Sequence, residues 1–253
     1  MYNMLLLALI CFLVYFFFIL KTWDERKDAA KTLIFAGIFA ITFRSFAYEP
    51  FHIPSGSMKN NLLIGDYIFI SKFSYGYSHY SFPLGLIKFN GRVFDSPPQR
   101  GDIIVFRPPG RPDDDFIKRL IGLPGDRIQM RDGLLYINDK PVEKEYVGEW
   151  TDKDLPAADA VLKQYKETLP EGKSFLTLYK DEITSADNTK VFVVPQGHYF
   201  MMGDNRDNSQ DSRFVDPVGF VPAENIVGRA DLILFSWSCG YPFCPGRFFL
   251  KLS

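Results

Sequence analysis

The chain begins with apolar residues in nearly unbroken succession. Met4 to Leu20 carries no charge, and with Met1 to Asn3 it gives 20 uncharged residues. As a helix these span ~30 Å, about the thickness of one hydrocarbon core. A cleavable leader would place its positive charges first and a small-x-small site after the apolar run. Here Lys21, Arg26, Lys27 and Lys31 follow the run. The pattern therefore predicts a retained transmembrane helix over 1–20 and a cytoplasmic loop over 21–31. A second apolar run, Thr32 to Phe43, covers only ~18 Å as a helix, which alone fits a buried or interfacial segment. With Lys31 and Arg44 snorkelling it becomes long enough, and 32–48 reads as a second crossing that leaves everything after Tyr48 outside.

After Glu49-Pro50 the periodicity changes. Short β-branched and aromatic runs alternate with Gly, Pro, Asp and Asn: Tyr67–Ser71, Asp102–Phe106, Phe116–Leu120, Arg127–Met130, Leu134–Ile137, Val191–Val194 and Ala230–Phe235. Runs of this length between turn residues read as strands, and Asp132-Gly133 and Asn138-Asp139 mark hairpins. The expectation is a mainly β domain over 49–140 and 191–253. Residues 141–190 are more polar, with weak periodicity, and read as an inserted subdomain of loops and small strands.

Composition narrows the function. A formal net charge of −1, with no basic run interleaved with aromatics, argues against nucleic acid. Three scattered histidines disfavour a metal enzyme, and no cofactor is expected. Three cysteines cannot build a disulfide scaffold. Cys239 and Cys244 flank a Gly- and Pro-containing bend, so either a disulfide in an oxidising compartment or two free thiols is open.

Three segments carry candidate chemistry. In Glu49-Pro-Phe-His-Ile-Pro-Ser-Gly-Ser-Met-Lys59, Ser57 lies on a bend after a Pro-terminated strand, where its hydroxyl can meet a substrate. In Asp115-Phe-Ile-Lys-Arg-Leu-Ile-Gly-Leu-Pro-Gly-Asp126, strand alternation groups Lys118 with Phe116 and Leu120. Burial disfavours a charged amine and can lower its pKa by ~3–5 units, towards the range of a usable base. An edge lysine with its head in water is the plain alternative. In Met201 to Arg213 polar residues crowd together, as in a solvated or calcium-binding loop. A calcium loop would need Gly and Glu where Ser212 and Val218 stand, so a buried support network fits better. His52, His79 and His198 read as edge or surface residues rather than as bases. Lys59 is too close in sequence to Ser57 for a Ser-x-x-Lys arrangement.

In this order and spacing, Pro-Ser-Gly-Ser-Met, Arg-Gly-Asp-Ile-Ile-Val-Phe, Phe-Ile-Lys-Arg with Gly-Leu-Pro-Gly-Asp, and Gly-Asp-Asn-Arg-Asp-Asn-Ser-x-Asp-Ser-Arg resemble type I signal peptidases, membrane serine proteases that remove signal peptides from exported proteins. The resemblance covers Phe43 to Arg131 and Val193 to Ala230. It implies a signal-peptidase/LexA-like β catalytic domain preceded by two transmembrane helices. It further implies Ser57 as nucleophile, Lys118 as general base, and an oxyanion hole of the Ser55 hydroxyl and the Ser57 N–H. Ser209 would orient the Lys118 amine, with Asp204, Asp211 and Arg213 bracing the loop. Phe51, Ile53, Met58, Leu62, Phe116 and Ile117 would form shallow apolar pockets. The implied partners are signal peptides of secreted preproteins and the lipid bilayer, for a monomer in the bacterial inner membrane with its catalytic domain on the periplasmic side. One departure stands out: the family's Pro-Thr-Leu after Ser-Met is here Lys59-Asn60-Asn61-Leu62. A self-cleaving repressor-type protease and an inactive anchored β module are the rival readings.

Overall fold

The computed structural model describes residues 23–82, 89–156, 159–180, 182–239 and 244–252. It divides into two compact units, one ending at Arg44 and the other beginning at Ser45.

The described part of the first unit is helical. α1 runs without a break from Trp23 to Phe46, and its Asp24–Phe46 stretch is long and apolar enough to cross a membrane. Asp24 and Glu25 in the first turn and Arg44 in the last complement the helix dipole, and Lys31 pairs with Asp28 at 3.1 Å. Of the two expected crossings the described residues contain one, a single apolar helix. It begins at Trp23, so most of the expected loop 21–31 is helical, because no Pro or Gly stands between Trp23 and Lys31. The other expected crossing, 1–20, lies outside the described residues.

The second unit is mainly β. Its strands are β1 (Tyr48–His52), β2 (Asp66–Ser71), β3 (Ile103–Phe106), β4 (Phe116–Gly122), β5 (Arg127–Arg131), β6 (Leu134–Ile137), β7 (Lys140–Pro141), β8 (Glu143–Thr151), β9 (Val161–Thr168), β10 (Ser174–Tyr179), β11 (Phe192–Val193), β12 (His198–Met202), β13 (Val221–Pro222), β14 (Ile226–Ser236) and β15 (Leu250–Lys251). The main sheet has the order β1-β2-β14-β3-β4-β12-β13, with β15 added to β14. Pro50 and Pro222 lie in the two outer strands, where a missing N–H costs no ladder bond. Central β14 breaks register with both neighbours, at Ala230/Leu232 and Ile233/Phe235 against β2 and at Ile226/Gly228 against β3. Such irregularities bend a strand and raise its twist, curling the sheet.

β11, β5, β6 and β7 form a second sheet. Asp132 and Gly133 (φ 49° and 69°) and Asn138 and Asp139 (φ 53° and 63°) take left-handed conformations, the geometry whose twist matches a two-residue hairpin. β8, β9 and β10 form a third sheet. It falls within 141–190, so that stretch is more regular than expected. β8 is exposed along most of its length, which removes the apolar alternation that would have announced it.

Candidate active site

The bend between β1 and β2 carries Ser57, and the middle of β4 carries Lys118. Lys118 is paired in register with Ile104 of β3. Both faces of β4 are covered, and the Lys118 side chain is only 4 % exposed. Its Nζ lies 2.6 Å from Ser57 Oγ and 2.9 Å from the Ile117 carbonyl. The protonated amine donates to Oγ; once the amine is neutral, the same contact can run the other way, with the hydroxyl donating. Burial pulls the Lys118 pKa down to about 8, against an opposing upward pull from Asp211 and then Asp204. A lysine tuned this way releases its proton near neutral pH and can then accept one from the serine.

The loop after β12 supports this pair from one side. Asn205 N–H donates to the Ser57 carbonyl at 3.0 Å, and Asn205 Nδ2 donates to the Gly56 carbonyl at 3.1 Å. Asp204 accepts two bonds of 2.8 Å from Arg119 on β4, and a third of 2.7 Å from Asn61. Asp211 accepts from Gly203 N–H at 3.0 Å and from Arg213 at 2.9 Å. Burial pushes the Asp211 carboxyl up, but the Arg213 guanidinium outweighs it and holds the group below its ordinary value. Gly203 has no room for a side chain: a Cβ there would sit against Ser209 Oγ and 2.6 Å from the Ser57 carbonyl.

The residues singled out in the sequence fall into three groups. Ser55, Ser57, Lys118, Ser209, Phe116 and Ile117 line one open cleft of roughly 790 Å³. Asp204, Asp211 and Arg213 lie buried behind it. Ile53, Met58 and Leu62 are buried in the apolar cluster of the sheet, with Phe51 packed against that cluster, and none of the four lines the cleft. Ser209, expected to orient the Lys118 amine, makes no hydrogen bond to it; the second bond of Nζ goes to the Ile117 carbonyl. Cys239 and Cys244 are joined in a disulfide. None of the three histidines lines the cleft: His52 packs on Tyr67, His79 on Tyr80, and His198 Nδ1 lies 3.0 Å from the Gln196 carbonyl. Among the described residues, no group of three or more His, Cys, Asp or Glu is arranged to hold a metal ion.

Other residues at the site were not foreseen. Arg119, Asn61 and Asn205 each bind a group far away in sequence. Arg206, buried, pairs with Glu167 of β9 at 2.6 and 2.8 Å and with the Tyr179 hydroxyl at 2.8 Å. Leu178 N–H of β10 donates to the Asp204 carbonyl at 2.9 Å. The β8–β10 sheet therefore supports the loop that supports Ser57. Nothing in the sequence pointed to a partner for this loop in 141–190.

A serine hydroxyl in contact with a buried, pKa-lowered lysine, at the floor of an open cleft, is the equipment of a serine hydrolase that works without histidine. Comparison with known proteins carries this further. The family model described as "Signal peptidase, peptidase S26" matches residues 26–237. Signal peptidase I of Rickettsia typhi is 46% identical over 225 residues, covering 85% of this chain and 83% of that protein. Signal peptidase I of Rickettsia akari is 46% identical over 224 residues, covering 85% of this chain and 82% of the relative. A crystal structure of a signal peptidase I from Enterococcus faecalis is 32% identical and covers 53% of this chain and 97% of that one, with a TM-score of 0.31. The chain belongs to the signal peptidases of peptidase family S26 and is a serine peptidase. Neither the self-cleaving repressor nor the inactive module is favoured.

Proposed function

We propose that this chain is a membrane-bound endopeptidase that cleaves N-terminal signal peptides from exported preproteins, with Ser57 as nucleophile and Lys118 as general base. The observation that carries the assignment is the 2.6 Å contact between Lys118 Nζ and Ser57 Oγ inside a cleft. Ser57 Oγ attacks the scissile carbonyl while its proton passes to neutral Lys118. The resulting oxyanion is held by the Ser57 N–H and the exposed Ser55 hydroxyl. Lys118 then protonates the leaving amine, and the acyl-enzyme forms. Water, deprotonated by Lys118, then cleaves the acyl ester, releasing the signal peptide with a new carboxylate and restoring the serine. Phe116 and Ile117 supply the apolar wall on which an extended substrate would rest alternate side chains.

The anchoring goes with this reading. The uncharged run 1–20, followed by Lys21, Arg26, Lys27 and Lys31, supports a first crossing, and α1 supplies a second. Residues 49–140 and 191–253 then form the catalytic core outside the bacterial inner membrane, with 141–190 inserted in it. Cleavage of a preprotein panel in detergent by the full chain and by Ser57→Ala and Lys118→Ala tests the assignment. Both variants should lose cleavage with their folding intact; a live Ser57→Ala overturns it.

A further inference from the structure

Lys59, two residues beyond Ser57, is 3 % exposed and does not touch the cleft. Its ammonium donates to both oxygens of Asp152, at 2.6 and 2.8 Å, and to Asp154 at 2.6 Å. Asp152 is 1 % exposed and stands just past the end of β8, at the tip of the inserted sheet. Its backbone N–H is tied to the Ala160 carbonyl and its Oδ1 accepts from Asp154 N–H. The Lys59 stem passes beneath Gly56: a Cβ there would lie 3.1 Å from Lys59 Cε and 3.2 Å from Cδ.

The contacts converge on one peptide plane, Gly56–Ser57. The Gly56 carbonyl accepts from Lys59 N–H at 3.1 Å and from Asn205 Nδ2 at 3.1 Å. A trans peptide is planar with its C=O and N–H opposed, so fixing that carbonyl also fixes where the Ser57 N–H points. A buried ion pair adds little stability over apolar residues of the same volume, so stability is a weak reason for this pair to stand here.

We infer that Lys59 and Asp152 are positioning residues: their ion pair clamps the nucleophile turn to the inserted sheet and aims the Ser57 N–H at the developing oxyanion. This rests on Ser57 being the nucleophile. It gives the inserted sheet a task on this side of the site, alongside its support of the Asp204 loop. Because an oxyanion contact strengthens only in the transition state, the effect falls on kcat rather than on KM.

The test uses the full chain in detergent and a preprotein substrate, with Lys59→Met, Asp152→Asn, Lys59→Arg and the double variant Lys59→Met/Asp152→Leu. Removing an oxyanion donor outright costs about 100–1,000-fold, so mis-aiming one predicts a fall in kcat of about 10–100-fold with KM held within about twofold. Lys59→Arg should recover part of the rate. The pH–rate midpoint should stay where wild type has it, because Lys118 is untouched. The double variant leaves no unpaired buried charge, so it should fold yet stay slow, and it decides the matter if either single variant unfolds. A folded double variant with wild-type kcat overturns the inference, as does a rise in KM at unchanged kcat. Ser57→Ala run alongside keeps the two ideas apart: if it cleaves, the nucleophile assignment has failed and the positioning role falls with it, whereas a dead Ser57→Ala beside a folded double variant of wild-type kcat removes the positioning role alone.

Discussion

Raising the pH should switch this enzyme on, and the size of the effect follows from one buried amine. With a pKa of about 8, Lys118 is about one-tenth neutral at pH 7; at the ordinary value of 10.5 about one molecule in 3,000 would be neutral. Burial thus gives roughly 300-fold more usable base at pH 7. The rate of preprotein cleavage should climb with pH, pass half-maximum near 8 and level off above about 9. The same shift has a stability signature. Above pH 8 the folded lysine is neutral, while the unfolded one stays charged up to 10.5. Between those values the unfolded chain holds more protons, so stability rises with pH there; below 8 the full penalty remains, about 3 kcal/mol. Lys118→Met has no such amine. Subtracting its unfolding free energy from that of wild type at each pH cancels the other titrating groups. The difference should climb by about 3 kcal/mol in favour of wild type between pH 7 and 10.5. A rate midpoint at or above 10, or a flat difference curve, would refute the reasoning.

Other outcomes follow from the same contacts. Replacing His52, His79 and His198 together should leave preprotein cleavage largely intact, since none of them lines the cleft; a dead triple variant that still folds would reinstate a histidine base. Gly203→Ala forces a methyl against Ser209 and the Ser57 carbonyl. It should slow cleavage by about 100-fold, the cost of a displacement near 1 Å at a reacting group, measurable in single-turnover assays. Glu167→Gln leaves the buried Arg206 charge poorly matched and should cost about 3–5 kcal/mol. For a domain of this size that lowers Tm by roughly 10 °C, readable by thermal melts of the detergent-solubilised chain.

Features carried by local pattern were legible in the sequence. β2, β4, β5 and β6 stand close to where short apolar runs between turn residues placed them, and both predicted hairpin turns take the required positive φ. Ser57 and Lys118 could be nominated because each sits in a distinctive neighbourhood, and the family resemblance joined them. What stayed hidden depends on partners distant along the chain. Nothing local marked Arg119, whose partner Asp204 stands 85 residues on. Lys59 looked like a departure from pattern, although Asp152 neutralises it 93 residues later. The helix boundary at Trp23 was missed for the opposite reason. The charged residues Asp24 to Lys31 suggested a loop, yet charges at the start of a helix are compatible with it and can favour it.

The place of β14 in the sheet has a consequence for synthesis. Ser57 lies between β1 and β2, Lys118 on β4, and β14 stands between β2 and β3. The strand that unites the two halves is therefore made after both catalytic candidates, and after Asp211 and Arg213. Until residues 226–236 are available, the hairpin with the serine and the strand with the lysine lack the ladder that holds them side by side. A nascent chain therefore carries both groups without the strand that joins their two halves until residues 226–236 have emerged.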